Sequence, residues 1–251
     1  MTAIQQGLAS SRRTHYHAGV KTAVGSPLLS IETNTPLTIY SGLNQKDAGQ
    51  LDELVTHRLL DSGDYLFHQH TPAKSVYMLE EGMLMMERSS STGRRQVMAF
   101  MQPGNFIGIP HNQHYDYTVS SLQQSKVREI PLKPFVALQD KCPQLMENVR
   151  GIGGNILAHT LDQVFALGQK KAHERVCFLL KQLSDRAPVP NCRTVDLVMT
   201  RQDIADYLGL TIETVSRAFG KLKREKLIDI YSAHTVEIID MDAVAELALA
   251  D

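Results

Sequence analysis

The chain has 251 residues, room for one or two domains, and its 43% hydrophobic and 21% charged residues are those of a folded globular protein. Lys and Arg number 26 against 27 Asp and Glu, a formal net charge of −1, which excludes a generic polyanion binder with a uniformly basic surface. Cys142, Cys177 and Cys192 are odd in number and widely spaced, against a disulfide scaffold and for a reducing compartment. No apolar run nears the roughly 18 residues of a membrane span, and the N-terminus has no signal-peptide core, so the expected location is the cytoplasm.

Residues 1–35 mix small, polar and basic side chains without a period and are expected to form a flexible arm. Residues 44–60 predict a helix, because Leu51, Leu54, Val55 and Leu59 recur at helical spacing. From about 61 to 131 the texture changes to short apolar or alternating runs, SGDYLFHQ, SVYMLEEG and QPGNFIGI among them. Turn glycines punctuate these runs at Gly63, Gly82, Gly93 and Gly104, and SSSTGRR has the composition of a hairpin loop. That spacing suggests an all-β jelly roll or barrel, with any small antiparallel sandwich as the open alternative.

Residues 133–168 predict a return to helix, with two apolar stripes. Leu145, Val149, Ile152 and Ile156 form one; Leu157, Leu161 and Val164 form the other. Two stripes on one helix imply two partners, the β region and a symmetry mate. Residues 169–186 predict another amphipathic helix, with Val176, Leu179, Leu180 and Leu183 inward, followed by a loop, RAPVPNC. Near the end, LIDIYS and TVEIID read as a strand pair and MDAVAELALA as a closing helix.

Residues 200–227, TRQDIADYLGLTIETVSRAFGKLKREKL, are the most informative stretch. Thr200 with Asp203 three residues on approximates a capping box, Gly209 suits a helix C-terminus, and Thr211 suits the N-cap of a second helix. Ile212, Val215, Phe219 and Leu222 are expected on one buried face. Glu213, Ser216, Arg217, Gly220, Lys221 and Arg224 make a polar and basic stripe. Between Arg217 and Lys226 stand five basic residues and one acid. This is the pattern of a helix-turn-helix whose second helix enters the DNA major groove. Arginine pairs with guanine O6 and N7, glutamate accepts from cytosine N4, and lysines suit phosphates. The competing reading is an amphipathic helix with solvated charges.

On these residues the segment 199–228 resembles the C-terminal winged helix-turn-helix of the Crp/Fnr family of bacterial regulators, and LGLTIETVSRAFGKLKREKLI matches its recognition-helix signature. The spacing E-x-x-S-R at Glu213, Ser216 and Arg217 is similar to the Fnr branch, which implies a TTGAT-like inverted repeat. Thr200, Arg201, Thr211, Thr214, Lys221 and Arg224 complete the candidate DNA contacts. The fold implied is α+β: an arm (1–35), a double-stranded β-roll or jelly roll with sensor function (36–132), a long dimerisation helix (133–168) and a winged helix-turn-helix (169–251). The resemblance implies a dimer interface at Gly153, Leu157, Thr160 and Val164. Thr160, His159 and Gln163 make that seam polar and predict a weak dimer until something stabilises it. The expected partners are double-stranded DNA, RNA polymerase and a second copy of the chain.

The signal is less legible. Cyclic-nucleotide-binding members of the family carry a Gly-Glu pair and an arginine that clamps the phosphate. Here Asn105 stands in place of the glutamate and no arginine follows until Arg128, which speaks against a cyclic nucleotide. An Fnr-type iron–sulfur cluster needs four thiolates, which three cysteines cannot supply. His68 and His70 alternate on an expected strand, with His111 and His114 in a nearby loop, and the four are candidate ligands for haem or a metal. Chance clustering among ten histidines is the competing reading. Cys142 and Cys177 are candidate redox switches or, more simply, small buried residues. A chain regulated by abundance alone, with no effector, is a further reading. The alternative from another class is a cupin-like enzyme using His68, His70, Glu80 and His114, although the cupin spacing is not evident.

Overall fold

The computed structural model describes residues 37–110, 112–185 and 192–249. The expected arm at 1–35, His111 and most of the loop RAPVPNC lie outside the described residues.

Asn44 caps helix α1 (Gln45–Asp52) by accepting from the Asp47 amide. The helix predicted over 44–60 ends there. Thr56–Leu60 is instead strand β1, paired with its neighbour strand from Thr56↔Glu129 to Leu60↔Ser125. Long-range pairing overrides the helical spacing, and Leu59, counted on the apolar helix face, is 71% exposed.

The strands that follow are β2 (Tyr65–Phe67), β3 (Ser75–Glu81), β4 (Leu84–Ser89), β5 (Arg95–Met101), β6 (Phe106–Ile107), β7 (Thr118–Ser121) and β8 (Ser125–Pro131). They form two four-stranded sheets, ordered β1-β8-β3-β6 and β2-β7-β4-β5, with antiparallel neighbours throughout. This is the expected β-roll, and the SSSTGRR hairpin joins β4 to β5. Gly82 turns β3 into β4 at φ 94°, where a Cβ would lie 2.6 Å from the Gln124 carbonyl oxygen, so only glycine fits. The roll's interior is filled by Leu60, Leu66, Phe67, Tyr77, Leu79, Leu84, Met101, Ile107, Tyr115, Val119 and Val127. Phe67 stacks on Tyr115 with ring centroids 3.7 Å apart.

The single helix predicted over 133–168 is two, α2 (Leu132–Gln139) and α3 (Pro143–Gln169). Pro143 forces the break. It disfavours helical backbone at Cys142, which is extended at φ −122° and ψ 92°, and itself opens α3 at a position where its missing N–H is harmless. The first half of α3 buries Leu145, Asn148 and Ile152 against the roll, in a core shared with Ile39, Leu51, Val76, Phe106, Ile130, Phe135, Leu138 and Cys142. Buried Asn148 donates to the carbonyls of Ile39 and Ser41 at 3.0 and 2.7 Å, which fixes the helix in register. Ile156, assigned to this stripe by spacing, is 44% exposed, because the roll ends one turn earlier.

Helix α4 (Ala172–Asp185) buries Val176, Cys177, Leu179, Leu180 and Leu183. Strand β9 (Thr194–Asp196) follows the RAPVPNC loop, on residues for which the sequence predicts no element. Then come α5 (Arg201–Leu208), α6 (Ile212–Arg224), β10 (Ile228–Ile230), β11 (Thr235–Ile238) and α7 (Met241–Leu249). The last sheet is ordered β10-β11-β9, so the wing has three strands, not two. Among the described residues no helix is long and apolar enough to cross a membrane.

Candidate nucleic-acid interface

Local chemistry sets the α5–turn–α6 unit. The Thr200 hydroxyl accepts from the Asp203 amide at 3.1 Å, and the Asp203 carboxylate accepts from the Thr200 amide at 3.0 Å, a complete capping box. Burial raises the Asp203 carboxyl pKa, but hydrogen bonds from Thr200 and Arg95 outweigh this and hold it below the usual range. Gly209 ends α5 in the left-handed conformation, φ 61° and ψ 41°. The Thr211 hydroxyl then caps α6 by accepting from the Thr214 amide at 3.3 Å.

Val215, Ala218, Phe219 and Leu222 of α6 are buried. Ile212, placed on that face by spacing, is 40% exposed: it is the first residue of the helix, and the packed layer begins one turn later, at Val215. Glu213, Ser216 and Arg217 are exposed. The Glu213 carboxyl is held below the ordinary range by a backbone amide and the Thr211 hydroxyl, with the Arg217 charge adding to it. The Arg217 guanidinium donates to the Thr214 hydroxyl at 3.1 Å, so Thr214 braces the arginine. Lys221 lies 2.9 Å from the ring of His173 on α4 and 3.8 Å from Glu225. Arg224 is exposed. Arg201 stacks over the Phe219 ring at 4.1 Å, burial pulls its guanidinium pKa down, and its Nη1 is buried without a hydrogen-bond partner.

Of the residues expected at a dimer seam, Leu157, Thr160 and Val164 are exposed on α3 and Gly153 is half-buried. Thr160 and Gln163 both bond within the chain. The Thr160 hydroxyl donates to the Ile156 carbonyl at 2.7 Å, and Gln163 donates to the Tyr207 carbonyl at 3.0 Å.

Of the four candidate histidines, His68, His70 and His114 form no metal-holding group among the described residues, and His111 lies outside them. Strand β2 ends at Phe67, so His68 and His70 are not alternating strand residues; His70 sits in a turn at φ 67°. His114 pairs with Pro72 in an isolated bridge, and its Nδ1 lies 3.0 Å from the Asn112 carbonyl. Glu80 is ion-paired to Arg128 at 2.5 Å and Lys126 at 3.1 Å. Burial raises its pKa, and these two cations more than reverse that. Among the described residues no group of three or more His, Cys, Asp or Glu side chains is placed to hold a metal ion. Asn105 accepts from the Gln102 amide at 2.9 Å, closing the turn between β5 and β6, and Arg128 is held by Glu80 and lies 5.4 Å from the Tyr40 ring. Cys142 and Cys177 are buried packing residues, with the Cys177 thiol pushed up to about 12 by burial.

The sequence reading missed the contacts that join the roll to α5. Arg95 at the start of β5 reaches Glu87, Asp203 and Asp206 at 2.5, 2.9 and 2.7 Å. The only local signal was the Arg94-Arg95 pair closing the hairpin loop.

Comparison with known proteins decides the assignment. Residues 197–228 match the family model described as bacterial regulatory proteins, crp family, and residues 57–142 match the cyclic nucleotide-binding domain. Over 216 residues the chain is 35% identical to the transcriptional activatory protein AadR of Rhodopseudomonas palustris, covering 85% of this chain and 90% of that protein. The chain belongs to the Crp/Fnr family of transcription regulators. It is similarly 31% identical to the nitrogen fixation regulation protein FixK of Bradyrhizobium diazoefficiens, over 84% of this chain and 90% of the relative. The solved structure of FixK2 from Bradyrhizobium japonicum superposes with a TM-score of 0.74 at 27% identity, covering 78% of this chain and 98% of that one. These Crp/Fnr relatives are named as regulators, so the cupin-like enzyme finds no support. The match to the nucleotide-binding model falls on a roll whose interior holds the chain's own aliphatic and aromatic side chains.

Proposed function

We propose that this Crp/Fnr regulator works as a homodimer in the cytoplasm and reads a two-fold symmetric DNA operator with α6. The observation that carries the reading is the exposed row Glu213, Ser216 and Arg217, with Arg217 braced by Thr214. A bidentate arginine reads guanine, and the E-x-x-S-R spacing favours a TTGAT-like half-site. Lys221 and Arg224 suit flanking phosphates, as do Thr200, Arg201 and Thr211 around the two helix N-termini.

In this reading residues 36–132 act as a sensor, 133–168 supply the dimer seam and 169–251 form the reader. Two-fold symmetry sets the half-sites about one helical turn apart. The bound dimer recruits or blocks RNA polymerase. Selection of bound DNA from a random pool tests this reading. Arg217→Ala is expected to cost about 1–3 kcal/mol on the selected site and to relax preference at one base position. An equal loss on every sequence would reduce Arg217 to a phosphate contact and defeat the proposed register.

A further inference from the structure

Helix α5 is held at its flank by a side chain of the roll, and at its C-terminal end by side chains of the roll and of α3 together with one from α4 of the reader itself. On the flank, the Arg95 guanidinium spans Asp203 and Asp206, one turn apart, while its Nε stays on Glu87 of β4. The last carbonyls of a helix have no partner within it. Here Gln96 of β5 donates to the carbonyls of Asp206 and Tyr207, Gln163 of α3 donates to Tyr207 at 3.0 Å, and Arg175 of α4 donates to Leu208 at 2.9 Å. Apolar packing runs the same way. Met83, Met85, Val97 and Phe100 of the roll belong to the reader's buried cluster, and the Phe100 and Tyr207 rings are 5.1 Å apart.

We infer that Arg95 is a positioning residue for DNA reading: a side chain of the β-roll that orients the recognition helix through α5 without touching DNA. The inference rests on the reading of α6 given above. Arg95 is 28% exposed and ties two acids by a planar fork, a geometry that fixes direction as well as distance. Asp203 is also the capping-box acid, so the same clamp holds the end of α5 that carries Thr200 and Arg201. In the clamped arrangement Glu213, Ser216 and Arg217 are uncovered. A two-fold operator needs two α6 helices at one separation and tilt. Releasing α5 adds an ordering cost to each half-site and lowers affinity, although every group that faces the DNA is still present.

The test is a double-mutant cycle in the full chain with Arg95→Met and Asp206→Asn. Asp206 is chosen because it has no part in the capping box. The probe is a duplex carrying a TTGAT inverted repeat, with binding followed by fluorescence anisotropy over a range of salt concentrations. Each single substitution is expected to weaken binding about tenfold, and the double to lose no more than the worse single. Arg95→Lys should recover part of the loss, and the slope of log affinity against log salt should stay that of the parent. Independent, multiplying losses would overturn the inference, as would a slope lower by about one, which would make Arg95 a phosphate ligand. Unchanged affinity in folded R95M would overturn it too. If R95M fails to fold by circular dichroism, D206N and Gln96→Met carry the same test, with a loss at constant salt slope supporting the clamp and unchanged affinity overturning it. Failure of the unsubstituted chain to prefer the repeat over random DNA would instead strike at the reading of α6.

Discussion

In the proposed homodimer, Leu161→Ala measures how much the outward stripe of α3 contributes to association. The substitution removes three carbons, each worth about 0.8 kcal/mol when buried. Leu161 is 59% exposed in the single chain, so only that fraction remains to be gained on association. The product is about 1.4 kcal/mol per protomer. A two-fold seam buries the residue once from each side, which brings the loss to about 3 kcal/mol, or roughly a hundredfold in the dimer dissociation constant. Leu157 and Val164, at 60% and 61% exposed, should behave alike. Sedimentation equilibrium across a concentration series reads the constant directly. The stripe is not the interface if L161A dimerises within about threefold of the parent while keeping its fold. The polar character expected to weaken this seam is partly removed by the structure, since Thr160 and Gln163 already bond within the chain. A tight parent dimer would agree with that accounting.

Gly209→Ala should destabilise the chain by roughly 1–2 kcal/mol, since alanine must take the left-handed conformation and its methyl meets Leu167 at 3.3 Å; an unchanged urea midpoint would contradict it. Asp203 has a folded pKa below its unfolded value, so its contribution is present above about pH 4 and is lost as pH falls through the folded value. Asp203→Asn should therefore be less stable than the parent at neutral pH and approach it below about pH 4, as denaturant titrations at each pH would record; a gap that persists in acid would refute the assignment. Cysteine alkylation at pH 8 should modify half-exposed Cys192 before buried Cys177, whose thiol is pushed up to about 12, and peptide mapping of a partial reaction would expose the reverse order.

The reader was legible because its determinants are local. A capping box, a left-handed glycine and an i, i+3, i+4 apolar face are all written between Thr200 and Leu222, and each forms as expected apart from Ile212. Ile212 shows the limit: periodicity gives a direction around the helix but not where the packed layer starts. The β1 segment failed for a different reason. Thr56–Leu60 continues the helical spacing of α1, and only the distant β8 makes it a strand. Strand β9 is three residues long, with one inward side chain, Val195, too few for a pattern to register. The clamp on α5 joins residues more than a hundred positions apart, Arg95 to Asp203 and Asp206, and no spacing rule reaches that far. His68 and His70 illustrate the converse error, in which alternation was read as a shared strand face although β2 stops at Phe67.

The three-stranded wing bears on how the reader can be handled in isolation. Val195 of β9 pairs with Val236 of β11, so the chain leading into α5 and the chain leaving α6 are sewn together as Val195↔Val236 and Thr194↔Glu237. The family-matched segment, 197–228, starts after β9 and stops before β11. A fragment trimmed to those limits would be an opened loop with two helices and no seam to close it. One that began at Thr200 and ran to the end would leave β11 with an unpaired edge, an invitation to pair with another molecule. A soluble excised reader therefore has to begin upstream of Thr194, well before the first residue that the helix-turn-helix pattern reveals.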